Sequence, residues 1–435
     1  MSSSSTAPAV HDPTTISPRV IAAGAVGSIV EYFDFAVYGY VATILAVKFF
    51  AEGDPVTALL STLATFAVAF VLRPVGALLF GHFGDKFGRK NALALTIILM
   101  AAASGLIGIL PTYGAIGVGA TLLLVLARSL QGLAAGGELG GAASFVAEKS
   151  PRAKRGLFTS TTQMGALAGS LIASVTVTVL NLTLGSDVMN DWGWRLPFLI
   201  AIPIGLFGLW VRNGLEETEE FKAARKSVAT VKQSPVKTMF MRHPGALLRV
   251  VALSILLFSA YYVAYVYVNI HMQTVLGFDA NFSYLSTTLT LLVSVIAMPF
   301  FGALSDRVGR KPVFLGATIA ALVLAVPAFL LFEQGGVVAI LAHILLGLVD
   351  SALMGVALST YAEMFPTEIR YTGIAFGFSV GAALAGGTAP YICTWLIGLT
   401  GNPLAPAFFV IVTALITLIP ALRLKETKGI ELSQV

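Results

Sequence analysis

The chain has 435 residues, of which 57% are hydrophobic and only 11% charged, with a formal net charge of +5. A water-soluble domain carries roughly 25% charged residues, so a soluble enzyme, a secreted disulfide scaffold and a disordered chain are excluded. Apolar runs of about twenty residues also exclude an outer-membrane barrel, whose strands alternate.

The first 18 residues, rich in Ser, Thr, Pro and Ala, lack the basic start and cleavage site of a signal peptide. They read as a disordered cytoplasmic tail. Apolar runs divided by Gly, Pro or charge clusters then predict twelve helical spans. They lie near 19–48, 58–82, 91–111, 115–147, 157–183, 194–212, 247–276, 281–304, 312–332, 336–362, 371–399 and 404–424. A polar stretch over 213–246 separates a six-helix bundle at 19–212 from a second at 247–424, and a short tail follows at 425–435. Arg73, Arg128, Lys48 and Arg195 apart, the 27 Lys and Arg residues fall on the side that holds both termini. The excess of basic loops therefore places both termini in the cytoplasm and makes the positive charge a topology signal, with no nucleic-acid partner implied. The fold class expected is an all-α membrane protein of two pseudo-symmetric six-helix bundles.

The chain repeats itself. Gly81, Asp85, Gly88, Arg89 and Lys90 reappear at an offset of 221 as Gly302, Asp306, Gly309, Arg310 and Lys311. At an offset of 215, Ala147-Glu148, Pro151 and Arg155 reappear as Ala362-Glu363, Pro366 and Arg370. Internal duplication of this kind is a transporter architecture.

The twice-repeated G-x-x-x-D-x-x-G-R-K loop resembles the cytoplasmic signature of the major facilitator superfamily. Glu31-Tyr32-Phe33-Asp34-Phe35, Arg73-Pro74-Val75-Gly76, Arg128-Ser129-Leu130-Gln131-Gly132 with Gly136-Gly137-Glu138, and Trp192-Gly193-Trp194-Arg195 are similar to the metabolite:proton symporters within it. The resemblance implies uptake of small carboxylates or zwitterions with protons, across a cell membrane. Osmosensing members of that family carry a long C-terminal coiled coil, and the short tail here leads us to expect no such role.

The physical reading of the loops is a latch. Arg89, Lys90, Arg310 and Lys311 can bind the exposed carbonyls of helix ends and the aspartates Asp85 and Asp306, and Gly84 and Gly88 permit the tight reversal between helices; Gly81, Gly88, Gly302 and Gly309 belong to the expected gate. Charges inside spans cost roughly 2.5–3.5 kcal/mol each at a helix centre and so mark function. Glu31 and Asp34, three apart, share one face of span one, and like charges so close favour sharing a proton. With Glu138 they are the expected proton-coupling groups, the alternative for Glu31 and Asp34 being a structural pair with Arg73 or another helix. Arg128, Gln131 and Glu138 share one face of span four. Arg128 and Glu138 are about 15 Å apart along the axis, so each needs a partner elsewhere. Arg128 suits a substrate carboxylate because its planar fork takes two oxygens. Arg73 reads either as a second ligand or as the counter-ion of Asp34. Gln163, Tyr262 and Tyr265 are further candidate ligands, with Tyr262, Tyr265 and Asn269 on one helical face able to line a cavity or offer ring faces to a quaternary ammonium. Gly132, Gly136 and Gly140 predict a close helix contact. His343 and Asp350, seven apart in span ten, fit a proton relay or polar helix packing, and Arg195 fits an interfacial anchor. A lone Cys393 is expected to be a small core residue.

The expected function is proton-coupled import of an organic acid by alternating access, working as a monomer without cofactor or metal. The alternative is symport of a zwitterion such as proline or betaine. Scattered histidines and the absence of a phosphate-binding loop argue against an enzyme or an ATP-driven pump.

Overall fold

The computed structural model describes residues 18–51, 53–87, 89–136, 141–214 and 235–432. Among these the chain is helical without strands, and its helices follow the twelve expected spans. Spans one to six are Pro18–Tyr40 with Ala42–Phe49, Pro55–Phe87, Arg89–Ile109, Val118–Gly136 with Gly141–Lys149, Arg155–Leu184 and Arg195–Gly214. Span seven is Pro244–Tyr262, Val263–Tyr267 and Val268–Thr274, followed by Ala280–Val308, Arg310–Phe332 and Gly336–Ala362. Span eleven is Thr367–Gly381, Ala382–Gly386 and Ala389–Thr400, and span twelve is Ala405–Leu422. Much of the predicted linker falls outside the described residues, and Pro235–Arg242 is a short helix at its end. Leucine, valine and isoleucine side chains such as Leu78, Leu126, Ile296 and Val323 stay exposed around the outside of the bundle, while polar side chains are buried within. That inversion is what a lipid solvent selects.

Several spans are broken where sequence periodicity predicts continuous helices. Span one bends by 65° between Tyr40 and Ala42, and the segment Ser186–Gly193 meets span six at 66°. Spans seven and eleven each contain a π turn, Val263–Tyr267 and Ala382–Gly386. Such turns loosen the backbone ladder and recur at functional sites. In span seven the Ala264 carbonyl receives the His343 imidazole at 2.6 Å.

Gly132 and Gly136 pack span four directly on the backbone of Ala69 and Arg73 in span two, where any Cβ would collide with a carbonyl. The glycine pattern thus acts as expected at these two positions, while Gly140 lies outside the described residues. This contact puts Arg73 level with Gly136, two turns beyond Arg128 on the neighbouring helix, and the two guanidinium groups meet the same ring, Phe35.

The two bundles are joined at both ends. At the end away from the repeated loops, Asn181 of span five donates to Asn281 of span eight at 2.6 Å. Ser174 and Thr178 bond Thr288 at 2.7 and 3.0 Å, and the Tyr284 hydroxyl donates to the Tyr40 carbonyl. The loop end is closed by charge, as described below. The polar groups between the bundles are consequently enclosed.

Candidate functional site

Span one supplies both of its acids to the centre, where Glu31 and Asp34 are each 1% exposed. Glu31 pairs with Arg73 of span two at 2.9 Å, inside a fully buried setting. Arg73 also stacks over the rings of Phe35 and Phe70, 4.3 Å from each centroid. Its partner in this structure is therefore Glu31, the structural pairing expected as the alternative for the span-one acids, and not Asp34. Removing one member of a buried pair costs roughly 3–5 kcal/mol because the other is stranded. Glu31→Gln is thus expected to lower the melting temperature of the purified protein, and adding Arg73→Met to restore it. A double variant no more stable than Glu31→Gln would disprove the pairing.

Arg128 differs from Arg73 in having no carboxylate within ion-pair distance among the described residues. It is 0% exposed, and its Nε and Nη2 lack any hydrogen-bond partner. Its single bond runs from Nη1 to the Gln131 amide oxygen at 2.8 Å, and Gln131 in turn donates to Ser104 at 2.6 Å. Gln131 holds the guanidinium in place by way of a relay that ends on span three. The flat face lies over Phe35, Tyr38 and Phe66 at 4.7, 4.4 and 5.1 Å, which leaves the edge free to receive a planar anion. Asp34 lies beside Ser104 and feels the Arg128 charge, yet neither of its oxygens makes a hydrogen bond.

An aromatic wall continues from this group across the bundle interface. Phe66 and Phe70 of span two meet Tyr262 of span seven at 5.7 and 5.0 Å, edge to face. Tyr262 meets Tyr261 at 4.9 Å, and Tyr261 meets Tyr32 of span one at 5.5 Å. The Tyr262 and Tyr32 hydroxyls are buried without partners. Tyr261, absent from the expected ligands, is central to this wall and bonds Ser170 at 2.6 Å. The predicted stripe of Tyr262, Tyr265 and Asn269 is split by the π turn. Tyr262 faces the first bundle, Tyr265 donates to the Gly347 carbonyl of span ten at 3.0 Å, and Asn269 turns to Thr287 of span eight. Gln163 of span five is buried with its amide nitrogen unpartnered, and no contact among the described residues joins it to Arg128.

The second copy of the repeated loop forms a clamp between the bundles. Asp306 accepts the backbone N–H groups of Gly156 and Leu157, at 2.8 and 2.9 Å, at the start of span five. An anion there also complements the helix N-terminus. Arg310 binds Asp306 at 2.7 Å and Glu363 at 3.3 Å, and Arg155 of the first bundle reaches the same Glu363 at 2.8 Å. Arg370 returns the contact to Glu148 at 2.7 Å. The pairs Glu148–Arg370 and Arg155–Glu363 thus exchange equivalent residues of the repeat across the interface. Lys311 caps the last span on the Leu422 carbonyl at 2.7 Å. Gly302 packs on Gly156 and Ser160, and Gly309 takes a φ of 109° next to Glu426. Burial raises the Glu426 carboxyl, but the N–H groups of Arg310, Lys428, Lys311 and Thr427 outweigh it and hold the carboxyl below its usual range. Its contribution is therefore complete at neutral pH and is lost as pH falls through that lowered value. Glu138 and Gly88 lie outside the described residues, as do the side chains of Gly81, Asp85, Arg89 and Lys90.

Arg195 caps the end of span three, donating to the Gly108 and Leu110 carbonyls at 3.0 and 2.7 Å. Trp194 beside it is fully buried against Phe49, whereas Trp192 is half exposed. Cys393 is buried in the core.

The pattern of the sugar (and other) transporter family matches residues 20–435. The chain belongs to this family of the major facilitator superfamily. It is a multi-pass membrane transporter and not an enzyme. Among family relatives, it is 36% identical over 418 residues to a proline/betaine transporter of Salmonella typhimurium, covering 94% of this chain and 83% of that one. It is 35% identical over 411 residues to a shikimate transporter of Escherichia coli, covering 92% and 93%. The major facilitator proton:xylose symporter XylE, solved with 6-bromo-6-deoxy-D-glucose, shares the fold with a TM-score of 0.74 at 20% identity, over 95% of this chain and 97% of that one.

Proposed function

We propose that this transporter is a proton symporter of a small zwitterion of the proline or betaine type, with both termini in the cytoplasm. The observation that carries the reading is Arg128, a fully buried guanidinium with two unpartnered nitrogens and, among the described residues, no carboxylate within ion-pair distance. A buried charge without a partner is strongly unfavourable, and a planar carboxylate matches its free edge. A single such arginine takes a single carboxylate. A dicarboxylate needs two free cations, and Arg73 is engaged by Glu31. Around the site Arg73 and Arg128 balance Glu31 and Asp34, so a substrate of zero net charge keeps the interior neutral. The wall of Tyr262, Tyr261 and Tyr32 offers ring faces to the cationic end.

Coupling follows from competition. Asp34 shares the field of Arg128. When the substrate carboxylate occupies the guanidinium, Asp34 loses its compensation and takes up a proton, so substrate and proton load together. The bundles then rock, the loop clamp opens, and both are released inside. The shikimate transporter relative supports a second substrate class, a monocarboxylate, which the same guanidinium would accept.

Uptake of radiolabelled betaine and proline into proteoliposomes with an imposed alkaline interior tests the reading. Accumulation that collapses with the pH gradient, and that unlabelled citrate does not inhibit, is expected. Uptake confined to di- or tricarboxylates, or indifferent to the gradient, would overturn it.

A further inference from the structure

The second bundle holds a carboxylate that this mechanism does not use. Asp350 of span ten is 0% exposed, and both of its oxygens lack a hydrogen bond. The other buried acids described here have cationic or backbone compensation. Glu31 has Arg73, Glu363 has Arg155 and Arg310, Asp306 has Arg310 and two N–H groups, and Asp34 has the nearby Arg128. No Lys or Arg among the described residues comes within ion-pair distance of Asp350.

Hydroxyls stand beside it and around Gly347, one turn before it on the same helix. Tyr265 of span seven lies beside it and donates to the Gly347 carbonyl. Ser351 donates to the same carbonyl at 2.9 Å. Thr290 and Ser294 of span eight pack on Gly347 where a side chain would otherwise stand, and both of their hydroxyls are buried without partners. From the other bundle, the unpartnered Tyr32 hydroxyl of span one is close enough to feel the Asp350 charge. His343, two turns earlier, faces elsewhere, bonded to Ser286 at 2.8 Å and to the Ala264 carbonyl. A hydroxyl can rotate to donate to a carboxylate or to accept from a carboxylic acid. A nest of hydroxyls therefore serves both protonation states without moving the helices, which a guanidinium, a donor only, cannot do.

We infer that Asp350 is a second proton-carrying carboxyl, held in a hydroxyl nest of spans seven, eight and ten, and loaded when the bundles close over it. This rests on the proposed proton symport. The proton comes from water on the open side, sits on a carboxyl oxygen while the site is enclosed, and leaves to water on the other side. An uncompensated carboxylate at the interface between bundles opposes closure, and the neutral acid permits it.

The test is Asp350→Asn, which mimics the neutral acid in shape. Betaine counterflow, which needs no gradient, is expected to persist, while the proton-to-substrate ratio from reversal-potential measurements falls by about one, because each translocated charge contributes to the driving force. A pH-difference infrared spectrum of purified wild-type protein is expected to show a carboxylic acid band that Asp350→Asn lacks. Should that variant not fold, Asp350→Glu serves, because it shifts the band instead of removing it. The infrared result stands even if betaine and proline prove not to be substrates. No Asp350-dependent band, or an unchanged ratio in a variant that transports, overturns the inference.

Discussion

Arg128→Met is expected to abolish substrate binding while leaving the empty protein as stable as before or more so. The two effects have opposite signs because the guanidinium makes no ion pair among the described residues: Asp34 feels its charge without bonding it. Truncating one partner of a buried charged pair costs about 2–5 kcal/mol, so affinity is expected to fall by a factor of roughly 30 to several thousand. In the empty protein the substitution removes a buried charge that makes no ion pair, while Asp34 loses a nearby cation and regains neutrality by taking up a proton; apolar replacements at such positions are often neutral or stabilising, by about 1–4 kcal/mol for ion pairs. The stacking on Phe35, Tyr38 and Phe66 offsets part of that gain, since each cation–π contact contributes about 0.5–2 kcal/mol. Melting curves with and without saturating betaine separate the terms. Wild-type protein is expected to gain thermal stability from betaine, and Arg128→Met to start from an equal or higher melting temperature and gain none. Arg128→Lys keeps the charge without the fork, so intermediate affinity is expected. A methionine variant that binds betaine as wild type does would remove the carboxylate from this site.

The contrast between the two arginines shows what sequence alone could and could not reveal. Arg73 and Arg128 stood out because a charge in an apolar span is costly, and composition displays that directly. Which of them was free could not be read, because Glu31 and Asp34 lie three residues apart and either could serve as the counter-ion. The answer depends on how span one is rotated against span two, a tertiary fact set by contacts such as Gly169 of span five on Ile29 of span one. Twelve spans and their order were legible because each has to supply its own apolar length and satisfy its own backbone. The tyrosine stripe was not, since the π turn at Val263–Tyr267 shifts the hydrogen-bond register without any mark in composition. Tyr262 and Tyr265 consequently serve opposite sides of the interface, and Tyr261 takes the position that periodicity assigned to its neighbours. Glu148, Arg155, Glu363 and Arg370 were visible as matched members of the repeat. Their reciprocal pairing was hidden because it requires the two copies to face each other.

That pairing makes the largest conformational effect predictable, and unequal between its two halves. Glu363 is 0% exposed and serves both Arg155 and Arg310, whereas Glu148 is 38% exposed and serves Arg370. Glu363→Gln leaves two buried guanidinium groups with reduced compensation, a loss of about 3–5 kcal/mol from the state closed at the loop end. The population open at that end is then expected to rise by a factor of roughly 100 or more. Glu148→Gln removes a partly solvated pair, for which about 1 kcal/mol or less is expected. Cys393 is the lone cysteine, so Cys393→Ser provides a background for a reporter at Ser160, which is buried at the loop end and packs against Gly302. Labelling of Ser160→Cys by an impermeant maleimide from the loop side is expected to accelerate strongly with Glu363→Gln and only slightly with Glu148→Gln. Accumulation of substrate is expected to drop in the same order, since a carrier unable to stay closed at that end cannot reset. Exchanging the members of the half-buried pair, Glu148→Arg with Arg370→Glu, is expected to recover part of the loss caused by either change alone. Equal labelling in all variants would mean that packing of span five on span eight closes this end and that the charges only decorate it.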